Sequence, residues 1–250
     1  MGDTPGVKRG AVMVEVQLLM HTPLPDDMAY TAYRQCYSAD KIQSLLQCDA
    51  ELVSKLINKH ESPLEHISFT FAINGISRAC SHQLVRHRIS SISQKSQRYV
   101  AEKQFEYTTP ETIKSFGVEA NYTNLMKSIQ QVYNELVDAG VPKEDARYVL
   151  PNACNTSLIH TFNVRSLYNL FTLRCCERAQ WEIRTVAKEM LNLAQQVSPL
   201  LFQYAGPACK RGKCLEGEMS CQNNTQKEDR KKRIKQSIKE RNKNGKHPAE

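Results

Sequence analysis

A chain of 250 residues with 40% apolar side chains carries enough material for a real core in one large domain or two small ones, without staples. Nine scattered cysteines and no signal peptide argue against a secreted disulfide framework and place the chain in a reducing cytoplasm; neither a membrane span nor a myristoylation signal is present. The net charge of +8 is lopsided: ten Lys or Arg against four acids between Lys227 and Glu250 hold +6 of it, which leaves +2 for residues 1–226.

In chain order, the β-branched and apolar run Val12 to Leu19 predicts a strand. Between Asp40 and Lys59, Ile42, Leu45, Leu46, Leu52, Val53, Leu56 and Ile57 recur at helical spacing, behind possible caps at Ser38 and Asp40. Ile67 to Asn74 alternates with period two, the clearest strand signal, and Gly75 is expected to end it. Ser77 can then cap a short helix that reaches Arg86. Residues near 119–139 predict a helix closed by Gly140, and Pro142 suits the first turn of a further short one, which Pro151 stops. Arg165 to Val197 predicts one long helix with an apolar stripe from Leu167 through Leu170, Phe171 and Trp181 to Val197, and Pro199 follows it. The pattern gives one domain over residues 1–221. Residues 222–250 are a basic tail nearly free of large apolar side chains, expected to stay solvated, with weak RNA or DNA contact as the alternative.

Two places break these local rules, as functional residues tend to do. The first is Arg86 to Tyr99, where Arg86, Arg88, Lys95 and Arg98 stand among Ser90, Ser91, Ser93 and Ser96 with no carboxylate between them. Guanidinium forks, hydroxyls and loop amides make a shell for phosphate oxygens. A solvated basic loop or an RNA-binding patch fits the same composition. The second is on the long helix, where the apolar stripe runs onto Arg174 and Arg178. A charge facing a core needs a partner. Either Glu177 or Glu182 neutralises one of these arginines, or Arg174 lines a cavity that contains a polar ligand; Arg165 and Asn169, one turn apart, can share one.

His60 to His66 does not make a zinc site, since the histidines are six apart and Pro63 interrupts the helix such a site requires. Cys209, Cys214 and Cys221 form at most a weak metal cluster, without a Cys-x-x-Cys or paired His. No metal is expected.

The run Arg86-His87-Arg88, then Ser96 and Arg98-Tyr99, resembles the signature of the flavin-dependent thymidylate synthases. His60 through His66, Ser77-Arg78 with Gln83, Leu150-Pro151, Asn163 to Leu167, Leu173-Arg174 and Ala179 to Arg184 extend the resemblance over roughly residues 12–205. It implies an α+β fold of mainly antiparallel sheet packed with helices, including the long C-terminal one, in a homotetramer with sites at subunit interfaces. It implies methylation of dUMP to dTMP, with methylenetetrahydrofolate as carbon donor and FADH2, regenerated by NADPH, as hydride donor, and no Cys nucleophile. By position, Gln83, Leu84, Val85, Arg86, Gln94, Lys95, Ser96, Gln97, Arg98, Arg147 and Arg174 would hold dUMP. His60, Ser62, Arg86, His87, Arg88, Gln94, Asn163, Val164, Arg165 and Asn169 would hold FAD. Arg174 takes the catalytic role, stabilising the pyrimidine as it becomes anionic. Ser96 has no assignable general base and is read as a binding residue. At Ser93-Gln94 the family signature usually reads Asn-Glu, so a neutral amide stands where a carboxylate is expected.

Overall fold

The computed structural model describes residues 14–39, 41, 49–57 and 59–221. The sheet is built on β2 (Ser68–Ser77), in which Phe69, Phe71 and Ile73 are fully buried on one face, as period-two alternation demands. Gly75 does not end this strand. It adopts φ 72°, within the register irregularity between Ile73 and Ile76, and the chain continues to Ser77. β1 (Glu15–His21) and β4 (Asn155–Asn163) flank β2, and β3 (Ser90–Gln94) pairs with β4, giving among the described residues the all-antiparallel order β1-β2-β4-β3. Val12 and Met13 lie outside the described residues.

β1 is followed by α1 (Pro25–Tyr37), an element the apolar spacing did not announce, and Ser38 closes it. Of the predicted helix 40–59, α2 (Ala50–Leu56) is present, capped by Asp49, whose carboxylate accepts from the amides of Glu51 and Leu52. Residues 42–48 lie outside the described set. α3 (Arg78–Leu84) joins β2 to the turn before β3. Then come α4 (Glu111–Ser115), α5 (Glu119–Asp138), α6 (Lys143–Ala146) and, after β4, α7 (Val164–Arg174), α8 (Trp181–Val197) and α9 (Pro199–Phe202).

The single long helix expected over 165–197 is two helices. Cys175 to Gln180 breaks it, and the Gln180 side chain restarts the chain by accepting from the amides of Glu182 and Ile183. Helical spacing alone cannot register such a break, because apolar residues on both sides face one core. That core joins β2, α7, α8 and α9 through Phe69, Leu167, Phe171, Val186, Met190 and Phe202. A smaller cluster of Phe105, Met126 and Cys154 fastens α5 to the far side of the sheet's connections. Among the described residues no helix is long and apolar enough to cross a membrane.

Candidate active site

Ser77 caps α3, its hydroxyl oxygen accepting from the Cys80 amide. Its own amide and hydroxyl donate to the buried Glu182 carboxylate at 2.7 and 2.6 Å, which fixes the start of α3 against α8. α3 ends with Gln83 half-buried and Leu84 in the core, and the chain then turns through Val85 to Ile89. In this turn Arg86 and Arg88 face outward while His87, between them, is buried.

Arg174 is the last residue of α7 and reaches this turn. Its Nε–H donates to His87 Nε2 at 2.8 Å, and Nη1 lies 3.5 Å from Gln83 Oε1. The carbonyl end of α7 favours a cation there. Among the described residues no carboxylate pairs with Arg174: Glu182 is engaged with Ser77, and Glu177 binds Arg184 and Lys188. Arg178 is not on the stripe at all. It stands in the break between α7 and α8 and pairs with Glu216. Burial, aided by the charge of Arg174, pushes His87 down to about 4, so at neutral pH its Nε2 is free to accept.

The segment Gln94 to Arg98 leaves β3 and lies against α6 and the turn Arg147–Val149. Here cations and carboxylates are matched. Lys95 pairs with the buried Glu102 at 2.8 Å, Arg98 pairs with Glu144, and Arg147 Nε–H donates to the Glu144 carbonyl at 3.0 Å. Gln94 Nε2–H donates to Thr156 Oγ1 at 3.3 Å, Gln97 approaches Cys154 Sγ, and Ser96 Oγ accepts from the Arg98 amide. Arg78 holds the segment from behind by donating to the Lys95 carbonyl at 2.8 Å. Arg78, His82, Gln97 and Arg147 converge on a cleft of about 330 Å3, a size and charge suited to a phosphate and its sugar.

Apart from Gln94 at the end of β3, the residues assigned to FAD fall into two groups joined by α7. At its N-terminal end His60 accepts or donates at both ring nitrogens, to Tyr37 Oη and Ser62 Oγ, each at 2.9 Å. Arg165 is gripped by Glu61 and Glu65 and Asn169 is exposed one turn further on, while Asn163 Oδ1 caps α7 through the Ser166 amide. Val164 is in the core, as Leu84 is, so these two can offer a ligand backbone atoms only. At the other end of α7 stand Arg86, His87 and Arg88.

Two residues near the turn, the half-buried Ser90 and the buried His160, are brought together by strand pairing, which the residue pattern did not announce. Ser90 Oγ–H donates to the His87 carbonyl at 2.7 Å and meets His160 Nε2 at 2.9 Å. His160 is fully buried on β4, a strand whose mixture of Asn, Thr and Ser hid it. Elsewhere, Cys175, Cys176, Cys209, Cys214 and Cys221 line a second cavity of about 350 Å3. All of these thiols are free, and among the described residues no three His, Cys, Asp or Glu are arranged to hold a metal ion.

Residues 17–200 match the family described as thymidylate synthase complementing protein. The chain is 44% identical over 237 residues to a flavin-dependent thymidylate synthase of Clostridium tetani, covering 85% of this chain and 95% of that protein. It is 48% identical over 217 residues to one of Geobacter sulfurreducens, covering 83% and 94%. The fold is shared with a solved UMP/dUMP methylase, PolB from Streptomyces cacaoi bound with 5-Br dUMP, at TM-score 0.69 and 23% identity over 77% of this chain and 94% of that one.

Proposed function

The chain belongs to the flavin-dependent thymidylate synthase family, and on that premise we propose that it methylates dUMP to dTMP, taking the carbon from methylenetetrahydrofolate. The observation that carries this reading is Arg174, a half-buried guanidinium with no carboxylate partner among the described residues, aimed by His87 and Gln83 toward the Arg86 to Arg88 turn. C5 of the uracil must become electron-rich before it attacks a methylene electrophile, and a fixed guanidinium beside the ring stabilises the charge that develops. A carboxylate partner would cancel that effect. The cleft of Arg78, His82, Gln97 and Arg147 takes the phosphate, and Ser96 with Arg98 closes over it once Arg98 exchanges Glu144 for the ligand.

Three buried thiols agree with a route in which they are not nucleophiles. Burial raises Cys80 far above the ordinary thiol range, Cys154 to about 11 and Cys175 to about 12, so none of the three is a thiolate at neutral pH.

The polar groups along α7 suit FAD. His60, Ser62, Arg165 and Asn169 at one end and Arg86 with Arg88 at the other offer donors to a long anionic cofactor, and Arg86 and Arg88 have no carboxylate partner among the described residues. When bound, the reduced flavin supplies the hydride, and NADPH restores it. Arg86 touches both ligands and orders them. We place the complete site between subunits of a homotetramer. Ile89, Tyr99 and Tyr148 support this, for they stand 76, 71 and 82% exposed beside the site residues. The purified protein should be yellow and should release tritium from the uracil C5 of labelled dUMP when NADPH and methylenetetrahydrofolate are supplied. Colourless protein that cannot be reconstituted with FAD would sink the reading.

A further inference from the structure

His160 and Arg174 belong to one continuous unit, since α7 begins at the residue after β4 ends. His87 and Ser90 belong to another, the turn from α3 into β3. The two units are tied at two points. Arg174 Nε–H reaches His87 Nε2 at 2.8 Å, and His160 Nε2 reaches Ser90 Oγ at 2.9 Å. Between those points the Ser90 hydroxyl donates to the His87 carbonyl at 2.7 Å.

The proton count fixes both tautomers. His87 Nε2 accepts from Arg174, so its ring proton is on Nδ1. The single Ser90 hydroxyl proton goes to the His87 carbonyl, so His160 must donate through Nε2–H. His160 Nδ1 then remains a bare lone pair, buried and without a partner among the described residues. On stability alone this residue is poorly placed. It stands between Leu158 and Phe162 on the buried face of β4, where a phenyl ring would avoid the orphaned acceptor. What the imidazole adds is one directed donor that holds Ser90, and through Ser90 the backbone of the turn that carries Arg86 and Arg88.

We infer that Ser90 and His160 are positioning residues that hold the Arg86–Arg88 turn and Arg174 in register for the nucleotide, an inference resting on the reading of Arg174 as the pyrimidine's partner. His160 is fully buried and acts through Ser90. Without the His160–Ser90 tie, the His87 carbonyl has a rotatable hydroxyl as its anchor, and His87 no longer presents Nε2 to Arg174 at a fixed angle.

The test measures dUMP affinity and KM against kcat in FAD-loaded protein, alongside melting temperature and flavin content. His160→Phe should melt at or above the wild-type temperature and keep its flavin, yet bind dUMP about tenfold more weakly, the loss expected for one buried hydrogen bond. His160→Gln, whose amide places a donor near the Nε2 position, should restore affinity to within about twofold. Ser90→Ala should weaken dUMP as His160→Phe does, and Ser90→Thr should not; this pair carries the test if the phenylalanine variant fails to fold. A wild type that binds dUMP, with His160→Phe and Ser90→Ala binding it equally well, overturns the inference alone. A wild type that does not bind dUMP overturns the proposed function and this inference with it.

Discussion

At the scale of single residues, the site depends on which cations have been neutralised. Lys95, Arg98 and Arg165 each face a carboxylate, whereas Arg174 faces an imidazole and an amide. Arg174→Ala is therefore expected to lower kcat by a factor on the order of 10² to 10³, as loss of one preorganised donor does, with FAD still bound; release of flavin instead would assign this arginine to the cofactor. The two buried histidines make a second prediction. Burial first, then Arg174 beside His87 and His87 beside His160, hold His87 at about 4 and His160 at about 3, both below the ordinary 6.5. Between those values the unfolded chain binds more protons than the native one, so stability falls as pH drops below 6.5. By pH 5 the loss is about 2 kcal/mol for each histidine, to be read from urea midpoints at pH 7 and 5, and His160→Phe should remove roughly half of it. Arg174 was legible in the sequence because an arginine at helical spacing on an apolar stripe is conspicuous. His160 was not, because its burial and its partner 70 positions away are properties of strand pairing.

At the scale of elements, α3 and α8 meet through one buried ion-to-dipole contact that local pattern could not have assigned. Glu182 was weighed as a partner for an arginine; the structure turns it to Ser77. Glu182→Ala should cost about 3 kcal/mol, since it leaves a buried amide and hydroxyl unmatched, and Glu182→Gln appreciably less. Chemical denaturation of both variants checks the difference, and equal losses would show that charge rather than geometry is at issue. The same reasoning explains the split helix. The apolar residues of α7 and α8 address one core, so their spacing reads as continuous, while the turn at Cys175 to Gln180 is set by side-chain capping. Gly75 was misread for a related reason: a positive φ inside a strand makes a bulge when a neighbouring strand continues to pair beyond it.

At the scale of the whole molecule, the charge and the chemistry separate. Removing residues 227–250 takes the net charge from +8 to +2 and touches none of the residues assigned to dUMP or FAD. Turnover of the shortened protein should match that of the full chain, while salt-dependent retention on nucleic acid should fall; a loss of turnover would make the tail part of the enzyme. The sequence by itself determined the family of the protein, because the identity and order of Arg86, His87, Arg88, Ser96, Arg98 and Arg174 are a signature that survives any uncertainty about helix ends. It also determined β2, α3 and α5, whose signals are local. Only the tertiary structure decided which arginines face a carboxylate among the described residues, that α7 stops at Arg174, and that His160 on β4 meets Ser90 at the start of β3. These are matters of distance between residues far apart in the chain, and one-dimensional spacing contains no such distances until antiparallel pairing and packing create them.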